Sequence, residues 1–538
     1  MNKLDIAALA VLFVLAFSLW TLPLQNDPRP FGEGDAAWHF SVGDYISSSD
    51  IPIYSLPFYI GQWYYGYNPA LGPNAPEYPP PNHYNYALMQ VAGGERFVPV
   101  IIYRAIASFL GIFAVYFLVG KLYGTAAAIA ASFGLVFSIR ERLIYLWGQQ
   151  PTLISIVFAP VTFYAFYRYL DGYYKGEKSV KYLYVTALLL CSQYLLHIQG
   201  FFISAVVLAF FTFFMFAKHR KLPFIKSGAK NLAMIAALML VIMIPFLMIY
   251  LGTPQGGNPR DLSRLLSWGV DHSLVSGSYS PDFVTFSGEY SLLLAPFLMV
   301  GILFLLLKRS PRDLLMLAWL AGMYIVLHAD IFLGVSVERA ARMLVAEPAL
   351  FYSLIAIGAT SLVSFVKLSA NAKAIAKYAL AGVVVILIFS SSYSETKNSL
   401  SLQYQSLFRI TPVQEELALW MNGNLPENAY IYYLAENRNF KIGTWQYAKL
   451  RWILAQSQRH VASFNNQFAN NSDVAGSPFY FLFDYSDLAV LVSQPNPWQE
   501  AASQSASALQ QFEAGNFNRS EAVYDTNNIR VYRVDAEN

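Results

Sequence analysis

The chain has one cysteine, Cys191, in 538 residues. It lies within an apolar run, so neither a disulfide framework nor a cysteine-rich metal site can form inside one chain. Charge is equally scarce: Asp, Glu, Lys and Arg make up 13% of the residues, and 36 Lys plus Arg against 33 Asp plus Glu leave a net charge of +3. A balance that close to neutrality argues against nucleic acid as a partner, and the placement of charge matters more than its sum. There is no repeat of fixed period, no heptad array and no glycine-rich phosphate loop. The first apolar run has no small-residue cleavage site and ends in LPLQNDPRP, so it reads as a retained span rather than a removed signal peptide.

What is abundant is apolar sequence, 56% of the chain, much of it in runs near the roughly 20 residues that cross a bilayer. Hydropathy predicts a polytopic α-helical membrane protein with about eleven spans, near 5–24, 98–119, 124–140, 151–170, 180–197, 198–217, 231–251, 289–307, 313–332, 343–366 and 374–391. With the N-terminus inside, the inward loops are YLDGYYKGEKSVKY, KHRKLPFIKSGAK, KRSPR and KLSANAKAIAK, which carry the lysine and arginine clusters that the positive-inside rule requires. An odd number of spans then puts the tail outside. The division expected is a membrane domain over 1–391 and an extracytoplasmic soluble domain over 392–538, in a multi-pass protein of the cell membrane.

The tail begins a helix at TPVQEELALWMNGNLP and carries short β-branched and aromatic runs in AYIYYLA, DLAVLVSQ and NIRVYRV, which predicts an α/β or α+β layer domain. The first outer loop, 25–97, is too long and too aromatic to be a plain linker. Many of its tyrosines and tryptophans would equally suit an aromatic belt at the lipid interface.

Ionisable groups gather on the outer side. FGEGDAAWHFSVGDYI carries Glu33, Asp35, His39 and Asp44, and a helix starting there puts Asp35 and His39 on one face. An acid beside an imidazole can handle a proton or help hold a divalent cation such as Mg or Mn; the plainer alternative is that Asp35 is an N-cap. Arg140 and Arg142 in SIRERLIYLWGQQP, His197 in QYLLHIQGFF, and His328, Asp330, Glu338, Arg339 and Arg342 in LHADIFLGVSVERAARMLVAEP map to the same side. Ionisable groups at membrane depth default to functional roles, although Glu338 and Arg342, four apart, can simply neutralise one another. Carboxylates opposite arginines suit an anionic, lipid-linked substrate, since arginine grips phosphate through a planar fork. That chemistry is sugar transfer from a lipid phosphate to an acceptor, with a non-catalytic scaffold or a transporter as the alternatives. The inverted repeats and broken helices of many transporters are not visible.

The same segments resemble a family. GEGDAAWHFSVGDYI, WYYGYNPALGPNAPEYPPPNHYNY, YLWGQQPTLISIVFAPVTFYAF with YLLHIQGFFISAVV, and VSVERAARMLVAEPALFYSLIAIGA are similar to motifs of GT-C superfamily membrane glycosyltransferases. Within that superfamily the likeness is to the chiefly archaeal membrane proteins named for a 6-pyruvoyl-tetrahydropterin-synthase-related domain, and more distantly to the catalytic subunit of oligosaccharyltransferase. The resemblance implies a polyprenyl- or dolichyl-phosphate-linked sugar donor taken from among the membrane lipids. It implies Asp35 as the catalytic or metal-binding carboxylate with Glu33 and His39 beside it, and Arg342 or Arg339 as the contact for the lipid phosphate. Tyr78 and His83, of the Tyr-Pro-Pro segment, fall on the substrate side. The Trp-Trp-Asp-Tyr-Gly acceptor string of oligosaccharyltransferases is missing, the nearest strings being GTWQYAK and FLFDYSD, so the acceptor is left open as protein, lipid or glycan.

Overall fold

The computed structural model describes residues 3–32, 34–48, 81–177, 179–220, 233, 236–237, 239–244, 290–335, 342–400, 409–434, 443–463, 478–486, 498–526 and 528–534. Among them, six helical stretches are long and apolar enough to cross a membrane: Lys3–Trp20, Val98–Tyr123, Gln150–Lys175, Ile198–His219, Met343–Phe365 and Ala370–Ser399. Thr125–Val136, Val180–Leu196 and Leu292–Lys308 are shorter apolar helices, and Pro311–Leu327 fills the place expected for 313–332. Most of the span expected at 231–251 lies outside the described residues.

Along the chain, α1 (Lys3–Trp20) is followed by α2 (Gly34–Ser48) and α3 (Pro81–Gly93) of the first loop. The bundle then runs through α4 (Val98–Tyr123), α5 (Thr125–Val136), α6 (Ile139–Trp147), α7 (Gln150–Val157) and α8 (Ala159–Lys175), and continues in α9 (Val180–Leu196), α10 (Ile198–His219), α11 (Ala295–Lys308), α12 (Pro311–Leu327), α13 (Glu347–Ser361) and α14 (Ala370–Ser399). These helices are apolar on both sides because both sides need to be: α1 buries Leu12, Ala16, Leu19 and Trp20 while leaving Val11 and Val14 exposed, as a lipid-facing helix does. The chain is an integral membrane protein.

The two ends of the bundle differ. At one end Lys218 donates to the Arg309 carbonyl at 2.8 Å and Arg312 to the Leu122 carbonyl at 2.7 Å, with Asp5 of α1 accepting from Tyr116 and Thr125 close by. The first-loop helices meet the opposite end of α4, which at 26 residues is about 39 Å long at 1.5 Å per residue.

Where α11 crosses α13, Gly301 and Gly358 face each other, and a Cβ on Gly358 would run into the Phe297 carbonyl and lie 2.7 Å from the Gly301 nitrogen. Small residues allow this approach, which is how membrane helices gain packing without a hydrophobic driving force between them. Gly358→Ala is therefore expected to overpack the crossing at a cost of about 1–3 kcal/mol, seen as a lower melting temperature in detergent. Gly382→Ala on α14, where nothing lies within 4 Å of the added carbon, should leave it unchanged.

The tail forms α15 (Pro412–Asn424), β1 (Tyr430–Tyr433), α16 (Gly443–Ser457), β2 (His460–Ser463), β3 (Phe479–Asp484), α17 (Trp498–Asn516), β4 (Ala522–Asp525) and β5 (Ile529–Val534). The sheet order is β2-β1-β3-β5-β4, with β1 parallel to β2 and β3, and β5 antiparallel to β3 and β4. Thr411 and Gln414 close a capping box at the start of α15, as Thr-Pro-x-Gln suggests. The DLAVLVSQ run lies outside the described residues. Asp484 of FLFDYSD is buried and fully engaged, accepting from Gln414 at 2.6 Å, Tyr433 at 2.7 Å and the Ser486 backbone at 2.9 Å; it joins α15 to the sheet.

The tail and the first loop share a hydrophobic core in which Ala36, Ala37 and Phe40 of α2 meet Leu417, Trp452 and Val531. Polar contacts reinforce it. Arg96 grips Asp44 through two bonds of 3.0 and 2.7 Å, Gln458 of the tail reaches the same carboxylate at 3.1 Å, and Arg409 donates to the Pro23 and Arg29 carbonyls at 2.8 and 2.7 Å. Asp44, one of the acids of the opening motif, is thus a structural anchor.

Candidate functional site

Two glycines bring the acidic first-loop motif against YLWGQQP. Gly32 has a φ of +117°, and a Cβ there would lie 2.9 Å from the Leu146 carbonyl. Gly148 ends α6 in the left-handed region at φ +81° and presses on the Ala36 backbone so closely that a Cβ has no room. Arg104, buried in α4, ties the same two segments together by donating to the Phe31 carbonyl at 3.2 Å and the Tyr145 carbonyl at 3.0 Å. Trp452 of the tail donates its indole N–H to the Gly32 carbonyl at 2.9 Å. The backbone around Asp35 is therefore held from three directions.

Asp35 sits in the first turn of α2. Burial pushes its carboxyl up; Arg342, Arg451 and a hydrogen bond with Gln149 act in the opposite sense. Arg342 precedes the short 3₁₀ turn Met343–Ala346 that leads into α13, and Arg451 belongs to α16 of the tail. One carboxyl thus feels the charge of two guanidiniums, one at the entrance to α13 and one from the tail domain. A raised carboxyl with polarising neighbours is the environment in which a side chain takes up a proton during a reaction.

His39, one turn along α2, is buried, and its Nδ1 meets Nε2 of the equally buried His83 at 2.8 Å. Burial pulls His83 down to about 3 and His39 well below the usual imidazole range, so both are neutral at pH 7. An imidazole neutral in the fold but protonated once unfolded disfavours the fold below its unfolded value. The melting temperature is therefore expected to fall as pH drops from about 7 toward 4, and less steeply in His83→Asn. His197 caps α10, its Nδ1 accepting from the Gln199 backbone at 3.2 Å.

The remaining expected residues are dispersed. Arg140 pairs with Glu347 at the start of α13 and lies over the Tyr290 ring, an arrangement that joins α6 to α13. Arg142 is buried on the same helix. His328 bonds the Tyr324 carbonyl one turn earlier at 2.8 Å. Glu33, Tyr78, Glu338 and Arg339 lie outside the described residues.

Sequence reasoning missed Arg104 and Arg451. Arg104 had a signal, a cation inside the apolar run VPVIIYRAIASF, which ordinarily points to function or a strong local partner. Arg451 had none, since nothing in the tail's sequence says which face of its helix meets the first loop.

Among the described residues no group of three or more His, Cys, Asp or Glu could hold a metal ion. The histidines are turned to one another; of the two acids expected to hold an ion, Asp35 feels the charge of Arg342 and Arg451, and Glu33 lies outside the described residues.

The described residues thus form a helical membrane bundle joined to a small α/β domain. No protein-family model matches the chain, and no curated protein matches it. Among solved structures, ArnT from Cupriavidus metallidurans bound to undecaprenyl phosphate superposes with a TM-score of 0.58 at 11% identity, over 99% of this chain and 98% of its own. The archaeal oligosaccharyltransferase AglB from Archaeoglobus fulgidus, in complex with an inhibitory peptide and a dolichol-phosphate, does so at 0.55 and 17% identity, over 93% and 72%. The same organism's oligosaccharyltransferase in complex with Zn and sulfate gives 0.53 and 16%, over 90% and 69%. At these identities the likeness is one of fold.

Proposed function

We propose that this chain is a membrane glycosyltransferase that moves a sugar from a polyprenyl- or dolichyl-phosphate donor to an acceptor at the outer face of the membrane. Within the GT-C fold we place it with the chiefly archaeal proteins whose motifs it resembles. The observation that carries the reading is Asp35, a desolvated carboxyl with its charge set against Arg342 and Arg451. The fold neighbours bound to dolichol-phosphate and undecaprenyl phosphate support a lipid phosphate as the donor's carrier.

In this reading Asp35 accepts the proton of the acceptor hydroxyl or amide as that atom bonds to the anomeric carbon. The bond from that carbon to the phosphate oxygen breaks, and the lipid phosphate leaves with the electron pair. Arg342 and Arg451 receive the charge that develops on the phosphate, which is where preorganised cations contribute most. Arg140 positions α6 through Glu347. No step is assigned to a metal. The test is the purified protein with a synthetic polyprenyl-phosphate hexose: release of free polyprenyl phosphate, unaffected by a chelator, supports the reading. Loss with chelator and recovery with added Mn or Mg would return Asp35 and Glu33 to a metal.

The proposal puts the site outside the cell, with the basic end of the bundle inside. In a Cys191→Ala background, Glu427→Cys in the outer domain should react with an impermeant thiol reagent on intact cells, and Lys367→Cys only after lysis. The reverse pattern would place the site in the cytoplasm and overturn the topology.

A further inference from the structure

The mechanism above leaves unused a buried polar cluster one helical turn from Asp35. His39 follows Asp35 by four residues and shares its face. It is paired with His83, and both rings stand edge-on to the Trp38 indole, at centroid distances of 4.9 and 5.3 Å. A neutral imidazole offers one donor and one acceptor; His83 commits Nε2 to His39, and its Nδ1 has no protein partner. Asn82 beside it is 1% exposed, yet neither its amide nitrogen nor its amide oxygen makes a hydrogen bond within the protein. It interacts with the Tyr86 hydroxyl, one turn on, outside the range of a close hydrogen bond. Buried polar atoms left without a close partner on successive turns of α3 are unusual, because buried polar groups nearly always find partners. Arg104, whose charge acts on His39 and Tyr86, is committed to two backbone carbonyls and lies over the rings of Phe31 and Tyr145.

We infer that Asn82, His83 and His39, beside Trp38, form the subsite for the donor's sugar, and that this sugar is an uncharged hexosyl unit without carboxylate or amine. The inference rests on the glycosyltransferase reading above. Sugar hydroxyls both donate and accept, as do an amide, a neutral imidazole and a phenol, and the indole offers apolar surface to the ring's C–H groups. A carboxylate would be stripped of water against neutral partners, which is costly. An ammonium would have to compete with the two guanidiniums for Asp35.

The experiment measures binding of three probes in detergent: bare polyprenyl phosphate, polyprenyl-phosphate glucose and polyprenyl-phosphate glucuronate. The wild type should bind the glucosyl lipid at least about tenfold more tightly than either other probe, the order expected for one or two hydrogen bonds. Asn82→Ala and His83→Phe should lower glucosyl binding to the bare-lipid level and leave bare-lipid binding intact, which also serves as the check on folding. His83→Asn keeps a hydrogen-bonding group and should retain most of the preference; it decides the matter if either of the other variants fails to fold. A glucosyl preference unchanged in all three variants, or glucuronosyl binding equal to glucosyl, would overturn the subsite. Failure of the wild type to bind even bare polyprenyl phosphate would instead overturn the glycosyltransferase reading, and the subsite with it.

Discussion

Asp35→Asn is expected to reduce sugar transfer by about 10²- to 10⁴-fold, the usual contribution of a positioned general base, while donor binding and expression stay near wild type. The substitution removes a charge and almost no volume. Asp35 lies within the first turn of α2 rather than at its cap, so Asn there gives up only a small interaction with the helix dipole, and the turn should survive. Desolvation outweighs the pull of Arg342 and Arg451 on the Asp35 carboxyl, so removing the charge should not lower the melting temperature. Single-turnover release of polyprenyl phosphate from a preloaded donor isolates the chemical step from binding. Transfer that survives in the Asn variant would leave Asp35 as a helix-starting residue and favour a non-catalytic, scaffolding role for the fold.

Arg342→Gln is expected to weaken binding of bare polyprenyl phosphate by about ten- to a hundredfold, because a charge-assisted hydrogen bond contributes on the order of 1.5–3 kcal/mol. Arg342→Lys should restore only part of this, since an ammonium is a point charge and cannot reproduce a two-pronged contact. The arginine stands immediately before the 3₁₀ turn Met343–Ala346 at the entrance to α13, and its charge acts on Asp35 from there. The competing account is that Arg342 only offsets a neighbouring acid such as Glu338. On that account, Glu338→Gln combined with Arg342→Gln would recover what the single change lost, whereas a phosphate contact stays lost in the double variant.

Much of the architecture was legible in the sequence because lipid imposes a simple rule: a span must be apolar over its whole length and close its own hydrogen bonds. Apolar runs therefore mark helices directly, and ten of the expected spans fall on described helices. The helix at Thr411-Pro412 and the strand at NIRVYRV were readable for local reasons, a capping box and a β-branched run. The strands β2, β3 and β4 were not expected, since in a short domain a strand's partners rather than its own residues decide whether it forms. α14 also runs to Ser399, past the expected domain edge at 391.

At the candidate site, sequence singled out Asp35, His39 and Arg342 because ionisable groups are rare enough in such a chain to be conspicuous, and His83 through the resemblance of the Tyr-Pro-Pro segment. It could not separate Asp44, whose carboxylate is committed to Arg96, Gln90 and Gln458, from Asp35, only nine positions earlier on the same helix. Nor could it bring Arg451 to Asp35, or His83 to His39 across 44 residues. Composition and hydropathy determined the membrane class because they act through each residue's own transfer from water. The roles of individual acids, arginines and histidines were decided by tertiary structure, because a buried charge takes its character from whichever partner the fold sets within a few ångströms of it.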